Sequence, residues 1–306
     1  MRRFGGHGPV AGGLTRSTLP YLDRTGANTV QFYVSNPRGW SCGPGDPVQD
    51  EAFVQACQDR DVAVYIHACL LVNLGSPNPE TVRRSGEVLE HALRRGAALG
   101  ARAVVFHAGS AVGPDRYDEA LGQVRETLRP ILDAAGEQNL PRLLVEPSAG
   151  GGRSLASRVE DLGPYLAAVD QHERLGVCFD TCHAWAAGHD LATPGGMRQT
   201  LDELIAATGP DRLDLVHAND SKDPCGSTRD RHENIGAGAI GADAFGELLA
   251  HPAVTGVPVI VETPDDDGTG RRQRDPTAAG HRVDLALLRS LLPPPAHPER
   301  VLRPRR

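Results

Sequence analysis

Eight short runs rich in β-branched and aromatic residues recur along the chain at intervals of about 25 to 45 residues, each followed by a segment with helical periodicity. They begin at Arg2 (RRFGGHG), Ala27 (ANTVQFYV), Val62 (VAVYIHA), Ala101 (ARAVVFHAG), Arg142 (RLLVEPS), Leu175 (LGVCFDT), Leu213 (LDLVHAND) and Val257 (VPVIVET). Several are near-continuous apolar runs, as expected of strands buried on both faces of a parallel sheet. Helix signals lie between them: Asn78 is a candidate N-cap, Pro79 suits a first helical position, and Val82, Leu89 and Leu93 share one face. Eight strands with crossover helices predict an α/β fold, a single closed (β/α)8 TIM barrel over residues 1–292. A doubly wound sheet fits less well, because Gly5-Gly6-His7-Gly8 is a poor match to a phosphate-binding fingerprint. Residues 293–306 (PPPAHPERVLRPRR) are proline-rich and basic and read as a tail outside the barrel.

Composition narrows the function. With 40% hydrophobic and 23% charged residues in a chain of 306, a globular core is expected, and disorder, coiled coil and collagen are excluded. No apolar stretch is long enough to span a bilayer, and the two N-terminal arginines are not followed by an apolar segment, so neither a membrane protein nor a secreted one is expected. The six cysteines form no CxxC pair, which suits a reduced, cytoplasmic chain. A net charge of -7 gives no bulk attraction to nucleic acid.

A TIM barrel carries its active site at the C-terminal ends of its strands. In this chain those ends are occupied by His7, His67, His107, Glu146, Asp180, His217 and Glu262, with His183 three residues after Asp180 and the pair Asp230-x-His232 in the loop after the seventh strand. Carboxylates converging at one end of a barrel repel unless a cation neutralises them, so the set predicts a metal centre. Histidines and carboxylates without aligned thiolates suit Zn2+, with Mn2+ or Fe2+ as alternatives. At three or four protein ligands per ion, with one carboxylate able to bridge, two or three ions are the natural number. Three divalent ions against four carboxylates leave about two positive charges in the pocket, so an acidic chain can offer a phosphate a cationic floor.

The stretches VVFHAGS, LLVEPSAGGG, GVCFDTCHAWAAGHDL, LVHANDSK, DRHENIGAGAIG and IVETP resemble the signature segments of the endonuclease IV family of apurinic/apyrimidinic (AP) endonucleases, over about Gly5 to Pro264. The resemblance implies a barrel hydrolase of base excision repair with three Zn2+ per chain. It would cleave the backbone of double-stranded DNA 5′ to an abasic site, leaving a 3′-hydroxyl and a 5′-deoxyribose phosphate, and would also remove 3′-blocking groups. It further implies one ion on His67, His107 and Glu146, a second on Glu146, Asp180, His217 and Glu262, and a third on His183, Asp230 and His232. Glu146 is then the bridge and the catalytic residue of the set. A monomer working in the cytoplasm is the accompanying expectation.

The resemblance also implies DNA contacts at Arg38, in the loop after the second strand, and at Leu70 and Leu71, just beyond His67. Arg231 joins them, and Asn219, Asp220, Ser221 and Lys222 either meet phosphate or order the third ion's ligands. Three places depart from the family pattern: Gly39 stands where a polar side chain is common, Leu70 where an aromatic is common, and Pro147-Ser148 where an Asn-Thr pair is usual. The rival reading is a single-metal sugar isomerase or epimerase of the xylose-isomerase-like barrel class, which needs only Glu146, Asp180, His217 and Glu262. A non-catalytic scaffold that binds damaged DNA is a further alternative, and it predicts eroded ligands.

Overall fold

The computed structural model describes residues 2–265 and 278–293. In chain order the barrel elements are β1 (Phe4–His7), α1 (Leu14–Thr25), β2 (Thr29–Tyr33), α2 (Pro47–Asp59), β3 (Ala63–His67), α3 (Pro79–Ala98), β4 (Ala101–His107), α4 (Tyr117–Glu137), β5 (Arg142–Glu146), α5 (Leu162–Ala168) and β6 (Leu175–Asp180). They continue with α6 (Thr181–Ala186), α7 (Gly196–Thr208), β7 (Leu213–His217), the short strands β8 (Asp220–Ser221) and β9 (His232–Glu233), α8 (Ala242–Ala250), β10 (Val259–Val261) and α9 (Ala279–Ser290). Eight parallel strands close in the order β1-β10-β7-β6-β5-β4-β3-β2, so each expected strand forms and the barrel is complete. The antiparallel pair β8–β9 was not foreseen. Its strands are two residues each, too short to leave an alternation in the sequence.

The barrel wall sorts its residues by the two-residue period of a strand. Ala63, Tyr65, Ala103, Val105, Leu144, Cys178, Leu215 and Ile260 fill the interior, while Val64, Ile66, Val104, Phe106, Val145, Val177 and Phe179 pack outward under the helices. Continuing the inward parity by one more step brings His67, His107, Glu146, Asp180, His217 and Glu262 to the top of the lumen. Six ligand-type side chains are thus aimed at one point by strand geometry alone.

The helices begin where local chemistry says they should. Asn78 accepts from the Glu80 amide at 2.9 Å ahead of Pro79, and α3 buries Val88, Leu89 and Leu93; Val82, at its exposed start, is only half-buried. Asp46 caps α2 in the same way. Arg95 of α3 grips Asp50 of α2 bidentately at 2.7 and 3.0 Å and ties these neighbours together. All six cysteines are free, and Cys57, Cys69, Cys178 and Cys182 are buried. Among the described residues no helix is long and apolar enough to cross a membrane. The expected tail at 293–306 lies outside the described residues apart from Pro293.

The glycine pair of β1 has a packing cause. A Cβ at Gly5 would sit 1.7 Å from the Thr29 carbonyl oxygen, a backbone atom of β2 that cannot move without breaking the barrel. Gly5→Ala should therefore cost about 3 kcal/mol or more of unfolding free energy, whereas Gly43→Ala, whose Cβ meets nothing within 4 Å, should change it by less than about 0.5 kcal/mol. Equal denaturation midpoints for the two variants would contradict this account.

Candidate metal centre

The motif Asp-x-x-His at the end of β6 folds in one way. Asp180 is the last residue of the strand and the N-cap of α6; its Oδ1 accepts from the His183 amide at 2.9 Å. One turn of helix then carries the His183 ring back over the barrel mouth. The other carboxylate oxygen, Oδ2, accepts from Asn219 Nδ2 at 2.8 Å, and Asn219 Oδ1 in turn accepts from the Glu262 amide at 2.7 Å. Asn219 thereby fastens β6 to the end of β10.

The nine candidate ligands converge in three groups. His67, His107 and Glu146 bring one potential ligand atom each within 4.8 Å of one another, as do Glu146, Asp180, His217 and Glu262. Glu146 belongs to both groups and divides its oxygens between them: Oε2 faces His67 Nε2 at 3.3 Å and His107 Nε2 at 3.5 Å, while Oε1 faces His217 Nδ1 at 3.0 Å. In the third group Asp230 faces His183 Nε2 at 3.3 Å and His232 Nε2 at 2.9 Å, and Asp180 Oδ2 stands 3.9 Å from the latter. Asp180 also groups with His183 and His232, so it lies between the second and third sets.

The imidazoles are held by their outward nitrogens. Nδ1 of His67, His183 and His232 faces the carbonyl oxygens of Ala68, Pro147 and Glu262 at 2.8, 3.0 and 3.1 Å. A carbonyl can only accept, so each ring donates there and turns Nε2 toward the centre. His232 Nε2 is buried and, although Asp230 stands 2.9 Å away, it lacks hydrogen-bond geometry; a ligand atom aimed at carboxylates in this way fits a cation between them. His7 stands beside the set, 3.2 Å from Glu262 Oε1.

The electrostatics ask for positive charge. Burial alone would neutralise Glu146, but the imidazoles of His217, His183 and His67 outweigh it and hold the carboxyl well below the ordinary range. Burial likewise opposes charge on His232, yet Asp230 and Asp180 carry its pKa up to about 9, and His183 and His217 are raised well above their ordinary value. His107, against Glu146's pull, is driven by burial and by neighbouring imidazoles down to about 4. Cys178 and Cys182 lie against the centre, but burial pushes both thiols up to about 12, so neither offers a thiolate.

The segment that follows Asp230 and His232 has its own scaffold. Buried Asp220 accepts five backbone N–H bonds, from Ser221, Gly236, Gly238, Ile240 and Gly241, at 2.8 to 3.2 Å. Gly238 is obligatory there, since its Cβ would lie 2.4 Å from the carboxylate. Asp284 of α9 holds the same loop through Asn234 and Ile235. Asp220 thus orders the third group and does not reach the surface. Of the expected DNA contacts, Arg38 is exposed, and Leu70 and Leu71 are 39% and 37% exposed at the rim. The Leu70 amide donates to Pro37 O at 2.9 Å, which joins the two loops. Arg231 forms an ion pair with Asp223 and stays half-exposed. A cavity of about 420 Å3 opens above the centre, with Leu70, Tyr33 and His107 in its wall. Sequence reasoning missed Gln31 and Asp284; the only local signal for Gln31 is an amide at an inward position of the apolar strand β2.

Comparison with known proteins agrees with this geometry. The family model described as Xylose isomerase-like TIM barrel matches residues 19–291. A protein of Streptomyces coelicolor named "Probable endonuclease 4" is 52% identical over 287 residues, covering 94% of each chain. The solved endonuclease IV of Thermus thermophilus superposes with a TM-score of 0.80 at 32% identity, covering 94% of this chain and 98% of that one. A D-tagatose 3-epimerase-like protein superposes at 0.68 with 18% identity over 95% and 98%, which is likeness of fold alone. With half its residues shared with a curated endonuclease 4 along nearly its whole length, the chain belongs to the endonuclease IV family.

Proposed function

We propose that this chain is a metal-dependent AP endonuclease of base excision repair, hydrolysing the phosphodiester bond 5′ to abasic sites in double-stranded DNA and clearing blocked 3′ ends. The observation that carries the reading is Glu146, whose two oxygens serve two ligand groups while a third group stands beside them. His67, His107 and Glu146 would hold one Zn2+; Glu146, Asp180, His217 and Glu262 a second; His183, Asp230 and His232 a third. Bound there, such ions supply Lewis acidity, lowering the pKa of a water and neutralising charge on the phosphate and the departing 3′-oxygen. A one-metal isomerase has no use for the His183, Asp230 and His232 group, which argues against that rival.

The protein's own part is to place the ligands and to admit the substrate. A scissile phosphate reaches a recessed floor only if the duplex bends and the abasic nucleotide turns outward. The exposed Leu70 and Leu71, tied to the loop of Arg38, are suitably placed to fill the gap left in the stack. The work is expected in the cytoplasm, at the chromosome.

The direct test is incision of an abasic duplex and of an undamaged one, with and without chelator, together with elemental analysis of the protein. About three ions per chain and chelator-sensitive, lesion-specific cleavage are expected; one ion per chain would return the isomerase. Glu146→Gln should lower both metal content and turnover, the latter by orders of magnitude, and full zinc with normal incision in that variant would refute the bridge. Leu70→Ala combined with Leu71→Ala should impair incision of abasic duplex strongly but spare hydrolysis at a flexible 3′ end; equal losses would put these leucines outside recognition.

Metal loading should also be pH-dependent, with a sign set by the imidazoles. A coordinating histidine must be neutral, and His232 stays protonated up to about pH 9 without metal. Adding Zn2+ at pH 7 should therefore release protons into a weakly buffered solution, and apparent affinity should rise with pH and flatten beyond about 9. Proton uptake on loading would contradict this.

A further inference from the structure

Six of the eight barrel strands end at one of the nine candidate ligands, and the other two, β1, which ends at His7, and β2, are neighbours. From β2 the side chain of Gln31, fully buried, crosses toward the ligands of β7 and β10. Its Nε2 lies 2.6 Å from Glu262 Oε1 and 3.2 Å from His7 Nδ1; its Oε1 lies 2.9 Å from His217 Nε2. The orientation of the amide follows from its partners. A carboxylate oxygen can only accept, so the amide nitrogen faces Glu262 and the amide oxygen faces His217. His217 must then carry its proton on Nε2, which leaves Nδ1 turned to Glu146 Oε1, Glu262 Oε2 and Asp180 Oδ2 at 3.0, 3.4 and 3.8 Å.

His217 differs here from its neighbours. His67, His183 and His232 are oriented by main-chain carbonyls, which no substitution removes. Only in His217, among these four, does a side chain of another strand set the ring, and the same amide also sets the carboxylate of Glu262. We propose that Gln31 is a positioning residue of the metal centre, a single amide that fixes the His217 imidazole and the Glu262 carboxylate so that both present ligand atoms to one ion. This rests on the reading of His217 and Glu262 as metal ligands. Partners of this kind outside the coordination sphere are worth about 10- to 100-fold in metal affinity or activity.

The test compares the wild type with Gln31→Met, which removes the hydrogen bonds to Glu262, His7 and His217 at similar volume, and Gln31→Glu, which keeps an acceptor for His217 but sets a carboxylate against Glu262. Each protein is loaded with Zn2+, and release to a chromogenic chelator is followed alongside kcat and KM on an abasic duplex. In both variants one zinc should leave about 10- to 100-fold faster, and kcat should fall while KM holds. Release at the wild-type rate from either variant, with zinc bound normally in the wild type, overturns the role of Gln31 and leaves the ligand reading standing. A wild type that binds no zinc overturns the ligand reading, and this proposal with it.

Discussion

A carboxylate with no solvent exposure sits at the middle of this molecule, and everything around it answers to that charge. Glu146 could not be ionised in a barrel mouth without compensation, because the cost of desolvating it exceeds what any single neutral partner returns. Four imidazoles within 3.5 Å, from β3, β4, β7 and α6, provide the compensation, and three further carboxylates then make the cluster too negative for protons alone to suit. A site of this kind is an electrostatic debt that multivalent cations discharge. The barrel supplies the rigidity that keeps the debtors from moving apart.

Much of this was legible in the sequence, and for a specific reason. Strand count, closure and the direction of His67, His107, Glu146, Asp180, His217 and Glu262 all depend on short-range periodicity, which a chain cannot conceal. His183 was legible because a capping interaction spans three residues. Gln31 was not, because its meaning lies in Glu262 and His217, more than 180 residues away, and nothing local marks an amide as an orienting group. Asp220 is only half legible: whether a carboxylate meets phosphate or gathers backbone amides depends on where a glycine-rich loop turns. Arg231, a DNA contact by resemblance, pairs with Asp223 and keeps about half of its side chain exposed.

The residues expected to depart from the family pattern lie in two places, Gly39 and Leu70 at the rim and Pro147-Ser148 directly after Glu146. Gly39 and Leu70 lie on the two loops that Pro37 and Leu70 join through the main chain, and Cys69 leans its thiol on the same segment. Two side-chain changes on a shared backbone platform can trade against each other without disturbing the ligands beneath. Pro147 is closer in, yet the group it lends to the centre is its carbonyl, which accepts from His183 and is common to every residue type. Any residue at position 147 can therefore make this contact.

The loop between β8 and β9 adds something to how the centre comes apart. Asp230 and His232 are held by the β8–β9 pairing, and Asp220 and Asp284 anchor the segment that follows, while the other candidate ligands stand on or directly after barrel strands or on α6. Loops of this sort open with less free energy than a closed sheet. Asp230 and His232 therefore depend on a single two-residue strand pair, whereas Glu146 and its neighbours are fixed by the register of the barrel. The nine candidate ligands are accordingly held in two ways: seven stand on or directly after the strands of the closed wall, and two hang on a segment that the wall does not carry.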